Sequence, residues 1–312
     1  MPEKIFITGV AGFLGGNLAR RLLEEGGYEV AGLDNLRWGR EENIPRGVRF
    51  TRADIREGTM ESLFRGVDVV FHLAAKNCLS DCQADPLETA DINLGGTIRV
   101  LQAAHGAGVK KIVLADSSAV YEGTTILPTP ETEEQPRSFY ALSKASAGRW
   151  AEAFSRNWGM TLTGLRYFCV YGPGQDYRRT IPPVMSAFII KLLKGERPVI
   201  YGTGEKRRDF VYVDDVNDFH LLCLTDPRTD GRTFNLGSGT NHSVREILDF
   251  VVELLGQQVE PLHRPEMPAE AKVTLADITR AGELGWAPRT DLRTGLSKTI
   301  AFLREEMAAG RV

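Results

Sequence analysis

The stretch Lys4-Ile5-Phe6-Ile7-Thr8-Gly9-Val10-Ala11-Gly12-Phe13-Leu14-Gly15 decides the fold. Five residues with a short apolar run read as a buried strand. A G-x-x-G-x-x-G turn follows, and Phe13 to Glu25 continues at helical spacing. Strand, glycine turn and helix in that order set backbone N–H groups and a helix N-terminus against a pyrophosphate. Glycine suits such a turn because a Cβ would keep the ligand away from the backbone. A glycine turn alone also has a purely structural use, so its surroundings matter.

Working outward, strands are expected at Glu29 to Leu33, Val48 to Thr51, Val67 to Phe71, Lys111 to Ala115 and Thr161 to Tyr167. Long helices are expected at Leu87 to His105 and Phe139 to Arg156. The strands are short, β-branched and bounded by Gly or Asp, as in parallel sheets buried on both faces. Alternation at this pitch predicts an α/β fold with a doubly wound parallel Rossmann sheet. Beyond Gly172-Pro173-Gly174 the pattern shortens, with helices expected at Ile181 to Leu193, Val216 to Leu224, Val244 to Leu255 and Leu292 to Glu306. Residues 1–168 are therefore expected to bind a dinucleotide. Residues 169–312 are expected to form a smaller α/β substrate lobe, with about 209–228 packing back on the first domain.

Asp34 closes the second strand, near the roughly 20-residue offset at which an acid grips ribose hydroxyls. A carboxylate there repels a 2′-phosphate, which favours NAD over NADP, although Arg37 and Arg40 lie close by. Asp54-Ile55 follows the third strand and Leu73-Ala74-Ala75 the fourth, at strand ends where open α/β sheets bind ligands. Small Ala74 and Ala75 let a dinucleotide lie flat, and they equally suit ordinary strand-end packing.

Tyr140 and Lys144 are four apart and share a helix face. A nearby ammonium favours tyrosinate, as a general base near neutrality requires. Ser117, at the end of the strand preceding that helix, is placed to hydrogen-bond the same substrate oxygen.

The ordered set of motifs resembles the extended short-chain dehydrogenase/reductases, in particular the nucleotide-sugar epimerases and dehydratases. It includes Thr8 with Gly9, Gly12 and Gly15, Leu33-Asp34-Asn35-Leu36, Phe71-His72-Leu73-Ala74-Ala75 and Asn93-Leu94-Gly95-Gly96-Thr97. It continues through Ser117-Ser118-Ala119-Val120-Tyr121, Tyr140 with Lys144, Arg166-Tyr167-Phe168 and Gly172-Pro173. Arg208 to Asp215, Asn235 to Gly239 and Ala276-Asp277 complete it. The resemblance implies Tyr140 as base, Lys144 as ribose ligand and tuner of Tyr140, and Ser117 as partner of the reacting oxygen. It implies NAD contacts from Gly9, Gly12, Phe13, Leu14, Asp34, Asn35, Asp54, Ile55, Leu73, Ala74, Ala75, Asn93, Tyr140, Lys144 and Phe168. Ser117, Ser118 and Tyr140 would meet the sugar, and Arg208 would clamp the diphosphate, since a guanidinium fork suits phosphate. A surface salt bridge is the alternative use of Arg208.

Dehydratases and decarboxylases of this group resemble one another in carrying an acid just after the Ser/Thr. Here Ser118-Ala119 carries none, which points to 4-epimerisation of a UDP-hexose through a transient 4-keto sugar with tightly bound NAD. A dehydratase, decarboxylase or 4-keto reductase on the same scaffold is the alternative, and a non-catalytic NAD-binding protein a third. The substrate side departs from the group's pattern. Cys169 and Thr180 replace Asn, Glu122 replaces Gly, and Met267-Pro268-Ala269-Glu270 replaces an Arg-Pro-Gly-Asp stretch, leaving Arg264 as a substitute phosphate ligand.

Composition adds exclusions. A formal net charge of -3 and the lack of a basic, aromatic-interleaved patch give no reason to expect nucleic acid or an anionic membrane. Cys78, Cys82, Cys169 and Cys223 form no C-x-x-C pair, so no metal is expected and reduced, buried thiols are. Ile5-Phe6-Ile7 is too short for a signal h-region, and no apolar run nears the roughly 18 residues of a membrane span. A cytoplasmic enzyme is the expectation. The two long helices resemble the pair through which group members dimerise, which predicts a homodimer.

Overall fold

The computed structural model describes residues 2–58, 60–266 and 271–312. The Met267–Glu270 departure lies outside them. In chain order, the first half runs β1 (Glu3–Thr8), α1 (Phe13–Glu25), β2 (Tyr28–Asp34), β3 (Arg49–Arg52), α2 (Glu61–Phe64), β4 (Val69–His72), α3 (Leu79–Ala84), α4 (Pro86–Ala90), α5 (Thr97–Gly106), β5 (Lys111–Ser117), α6 (Phe139–Trp158) and β6 (Thr161–Tyr167). The second half runs β7 (Cys169–Tyr171), α7 (Val184–Leu193), β8 (Val199–Tyr201), β9 (Arg207–Tyr212), α8 (Val213–Thr225), β10 (Thr233–Leu236), β11 (Asn241–Ser243), α9 (Val244–Leu255), β12 (Leu262–Arg264), α10 (Thr279–Gly282) and α11 (Leu292–Ala308).

Seven strands form one sheet in the order β10-β6-β5-β4-β1-β2-β3. Every pairing within it is parallel. The chain winds outward from β1 in both directions, so the switch point lies between β1 and β4, where such sheets bind ligands. One face of the sheet packs Leu18, Leu22, Val216, Phe219 and Trp286 into its core. The other packs Phe64, Val100, Leu101, Ala151 and Phe154. Burial on both faces is why the strands read as apolar runs rather than alternating ones. All seven residues of β5 are buried, including Lys111, Asp116 and Ser117. Lys111 is matched by the Cys223 carbonyl at 2.6 Å and the Thr229 hydroxyl at 2.7 Å, as a buried charge requires.

The rod expected over Leu87 to His105 is not one regular helix. A π-helical segment, Asp91–Gly96, separates α4 from α5. Gly96 sits against Ile55, where a Cβ would come within 2.5 Å of Ile55 Cδ1. The wider turn directs Asn93 inward, a use typical of π segments at functional sites. α7 starts three residues later than expected because Pro182-Pro183 precede it and Pro183 is extended, with ψ 140. α8 starts earlier, at Val213, with Asp214 and Asp215 in its first turn, where the helix dipole favours acids.

After β6 the chain builds a second core from Phe188, Ile189, Val251, Leu296, Ile300 and Leu303, beside the three-stranded sheet β11-β9-β7. It also returns to the first, because β10 pairs with β6 and α8 covers the α1 face.

Candidate functional site

The glycine turn is built to a tolerance that only glycine meets. Gly9 has φ +76, and a Cβ there would lie 2.8 Å from the Ala74 backbone nitrogen. A Cβ on Gly15 would lie 2.2 Å from the Gly9 carbonyl oxygen. Turn, β4 loop and α1 are thereby pressed together. α1 starts at Gly12 with no side-chain cap and no acid in its first turn. Its leading N–H groups, Phe13 and Leu14 among them, thus have no side-chain cap, as at helix N-termini that bind anions.

Asp34 is buried at the end of β2, and its carboxylate accepts the N–H of Ala11 at 3.2 Å and of Leu36 at 2.8 Å. Burial pushes its pKa up, those two N–H groups hold it down, and Asp54 adds to the rise. Leu36 adopts φ 60, the left-handed turn that lets the chain leave past this carboxylate. A Cβ on Gly39 would lie 2.8 Å from both Asp34 oxygens, so glycine is what lets this turn pack against the carboxylate. Sequence reasoning missed Gly39, which falls in no motif. Asn35 donates to Asp54 at 2.8 Å. The Arg56 guanidinium holds Asp54 well below the usual carboxylate range. Arg37 and Arg40, the two cations that left the cofactor choice open, are both engaged. Arg37 stacks on Trp38 at 4.4 Å and pairs with Glu88. Arg40 donates to Glu306 at 2.7 Å and to Tyr177 at 3.3 Å. Each thus has a carboxylate partner within the fold.

A buried polar chain supports the β4 loop. His72 lies between Thr8 (Nδ1, 2.7 Å) and Thr97 (Nε2, 2.9 Å), and Thr97 donates its hydroxyl proton to the Asn93 carbonyl at 2.6 Å. Thr97 must therefore accept from Nε2–H, leaving Nδ1 to accept from Thr8. Thr8 in turn accepts the Ala74 N–H at 3.2 Å. Complete burial, with Lys144 near, pulls the His72 pKa down to about 3, so the ring is a fixed neutral connector. The Asn93 amide accepts the Lys76 N–H at 2.8 Å and donates to the Lys76 carbonyl and to Ser143, each at 2.9 Å. It ties the loop carrying Leu73, Ala74 and Ala75 to α6. His72 and Thr97 stood inside quoted motifs, but nothing in their spacing revealed that they touch.

Ser117, Tyr140 and Lys144 meet at the C-terminal edge of β5. Ser117 opens a short 3-10 turn over Ser118–Tyr121, its hydroxyl accepting the Ala119 N–H at 3.2 Å. Ser118 is half-buried beside it. α6 starts one residue before Tyr140, capped by Ser138, which accepts the Ala141 N–H at 3.1 Å. Glu122, standing where the resemblance leads one to expect glycine, receives the Ser138 N–H at 2.8 Å and hydroxyl at 2.9 Å. It couples the Ser117 turn to the start of α6. Burial pushes the Tyr140 phenol up to about 12, while a hydrogen bond with Ser117 and the charge of Arg179 oppose that rise. Lys144 is buried one helical turn on, and its Nζ donates to the Ala115 carbonyl. Burial pulls its pKa down, against the pull of Asp116. Phe168 is buried just past β6, its N–H on the Leu236 carbonyl at 3.0 Å.

The expected phosphate ligands are less gathered. Arg208 lies on β9, half-buried, donating to the Arg207 carbonyl at 2.9 Å and the Lys272 carbonyl at 3.4 Å. Arg264 is exposed on β12, in the separate two-stranded sheet with β8. Cys169 is half-buried, and Cys78, Cys82 and Cys223 are buried free thiols.

Fold and site together define a dinucleotide-dependent α/β enzyme scaffold with a Ser–Tyr–Lys cluster beside its glycine cradle. The chain belongs to the NAD dependent epimerase/dehydratase family, whose model matches residues 5–237. It is 34% identical over 313 residues to a UDP-glucose 4-epimerase of Mycolicibacterium smegmatis, covering 97% of this chain and 99% of that one. Its structure is similar to UDP-glucose 4-epimerase from Thermotoga maritima with UDP-glucose, at a TM-score of 0.94 and 35% identity, over 97% and 99% of the two chains. It is also similar to UDP-glucuronic acid 4-epimerase from Bacillus cereus in complex with UDP-glucuronic acid and NAD, at a TM-score of 0.90 and 27% identity, over 97% and 99%.

Proposed function

We propose that this chain is a cytoplasmic, homodimeric NAD-dependent UDP-hexose 4-epimerase. The observation that carries it is the cluster of Ser117, Tyr140 and Lys144, with Ser118-Ala119 and no acid following the serine. NAD, when bound, supplies a reversible hydride acceptor at its nicotinamide. Residues 1–168 chiefly hold it, with Gly9, Gly12, Phe13 and Leu14 at the pyrophosphate and Asp34 at the adenosine ribose. Residues 169–312 chiefly bind the sugar nucleotide.

Tyr140 takes the proton of the sugar C4 hydroxyl and later returns one. A phenol held near 12 is a poor base at pH 7, so its ionisation needs cationic help. Lys144, on the same helix face, supplies it. Ser117 hydrogen-bonds the same oxygen and limits its motion. Without an acid after Ser117, no group is placed for the second proton transfer of a dehydratase. Arg208 binds the diphosphate. Exposed Leu87, Leu142 and Trp150, on α4 and α6, support a two-helix contact between copies.

The test is to incubate the protein with UDP-glucose, UDP-N-acetylglucosamine and UDP-glucuronate at catalytic NAD and follow the sugar protons by NMR. A 4-epimer forming at constant NAD establishes the reaction and names the sugar. An accumulating 4-keto product at constant NAD overturns the epimerase reading in favour of a dehydratase, and net conversion between NAD and NADH overturns it in favour of an enzyme with net redox turnover.

A further inference from the structure

Asp116 directly precedes Ser117 in β5 and is buried. One carboxylate oxygen accepts the Ser117 backbone N–H at 2.8 Å. The other accepts Arg166 Nε at 2.8 Å, from the adjacent strand β6. Arg166 is fixed in its turn, donating to the Tyr121 hydroxyl at 2.9 Å and the Glu131 carbonyl at 2.7 Å, and pairing with Glu134. The Lys144 ammonium donates to the carbonyl of Ala115, the residue on the other side of Asp116. Three consecutive residues of β5 thus hold Lys144, a carboxylate and Ser117.

We propose that Asp116, locked by Arg166, is a positioning residue for the reaction: it fixes the turn that presents Ser117 and sets a buried negative charge one residue from the carbonyl that holds Lys144. This rests on the roles proposed above for Ser117, Tyr140 and Lys144. A buried ion pair that merely braced the sheet would not need to lie between Ser117 and the residue whose carbonyl holds Lys144. A buried ammonium without a countercharge sheds its proton, and an uncharged Lys144 gives Tyr140 no electrostatic support. The carboxylate also opposes ionisation of Tyr140, so Asp116 sets where both groups titrate. The groups that face this set are Arg166 from β6, Tyr121 and Glu131 beyond β5, Glu134 before α6, His72 from β4, Cys82 from α3 and Arg179 before α7.

The experiment is the pH dependence of kcat for the holoenzyme, Asp116→Asn and Tyr140→Phe, with bound NAD and melting temperature measured on each. Asparagine still accepts the Ser117 N–H, and Arg166 keeps Glu134, so folding and NAD content are expected to persist. Removing the charge lets the phenol ionise, and Lys144 deprotonate, at lower pH. Both limbs of the profile are expected to move down by about one pH unit, with KM unchanged within about twofold. If the amide is not tolerated, Asp116→Ser must show the same displacement, since its hydroxyl also accepts that N–H. A uniformly lower rate with unmoved limbs overturns the proposal. If that occurs while Tyr140→Phe is inactive, only the role of Asp116 falls. An active Tyr140→Phe removes the base assignment on which it stands.

Discussion

The cofactor side and the sugar side of this protein are made of different material. Around Gly9 and Gly15 the walls are backbone, set so closely that a Cβ would meet its neighbour at 2.8 and 2.2 Å. Around Arg208, Arg264 and Cys169 the surfaces are side chains on short strands, half-buried or exposed. A backbone cradle tolerates almost no substitution. A side-chain surface changes ligand with a single residue, and among the described residues Cys169, a departure from the family pattern, lies on this second kind.

Substitutions probe that contrast directly. The largest effect belongs where the two sides meet. Tyr140→Phe is expected to cut turnover by about a thousandfold while NAD stays bound, checked by steady-state rate and cofactor content. On the backbone side, Gly15→Val would drive methyl groups into the Gly9 carbonyl, and the purified protein is expected to carry no NAD. A variant retaining stoichiometric NAD would show the cradle to be softer than its distances imply. Glu306→Gln leaves buried Arg40 without its main partner and is expected to cost about 3 kcal/mol in urea unfolding. The pH dependence follows from the same pair. Its partners hold Glu306 down to about 2 from an ordinary 4.5. The contribution is therefore present above pH 4.5 and is lost as pH falls towards 2, and the wild type should show this acid dependence where the glutamine variant does not.

On the side-chain surface, Arg208→Ala is expected to raise KM for the UDP-sugar by roughly ten- to a hundredfold, the worth of a charged hydrogen bond, with NAD content unchanged. Loss of NAD in that variant would erase the division between the two sides. The smallest effect belongs to Arg37→Ala. Its pair with Glu88 is partly exposed, so stability should change by less than about 1 kcal/mol. Preference for NAD over NADP should also be unaltered if the proposed contact of Asp34 with the adenosine ribose sets it.

The same contrast explains what could be read from residues alone. The parallel sheet was legible because buried strands demand short apolar runs, and the cradle because close backbone approach demands glycine at fixed spacing. Tyr140 and Lys144 were legible because helical periodicity places them on one face. The π turn at Asp91–Gly96 was not, since it answers to Ile55 rather than to local preference. Asp116–Arg166 and Thr8–His72–Thr97 were hidden for a similar reason. Each joins residues 25 to 64 positions apart, through strand neighbours that no linear pattern encodes.

The junction of Arg40 with Glu306 spans 266 positions of sequence. Arg40 lies six residues past Asp34, yet the group that neutralises it, Glu306, is supplied by α11. High contact order at this joint puts its closure late in folding. The loop that follows Asp34 is thus secured only once α11 has packed into the second core.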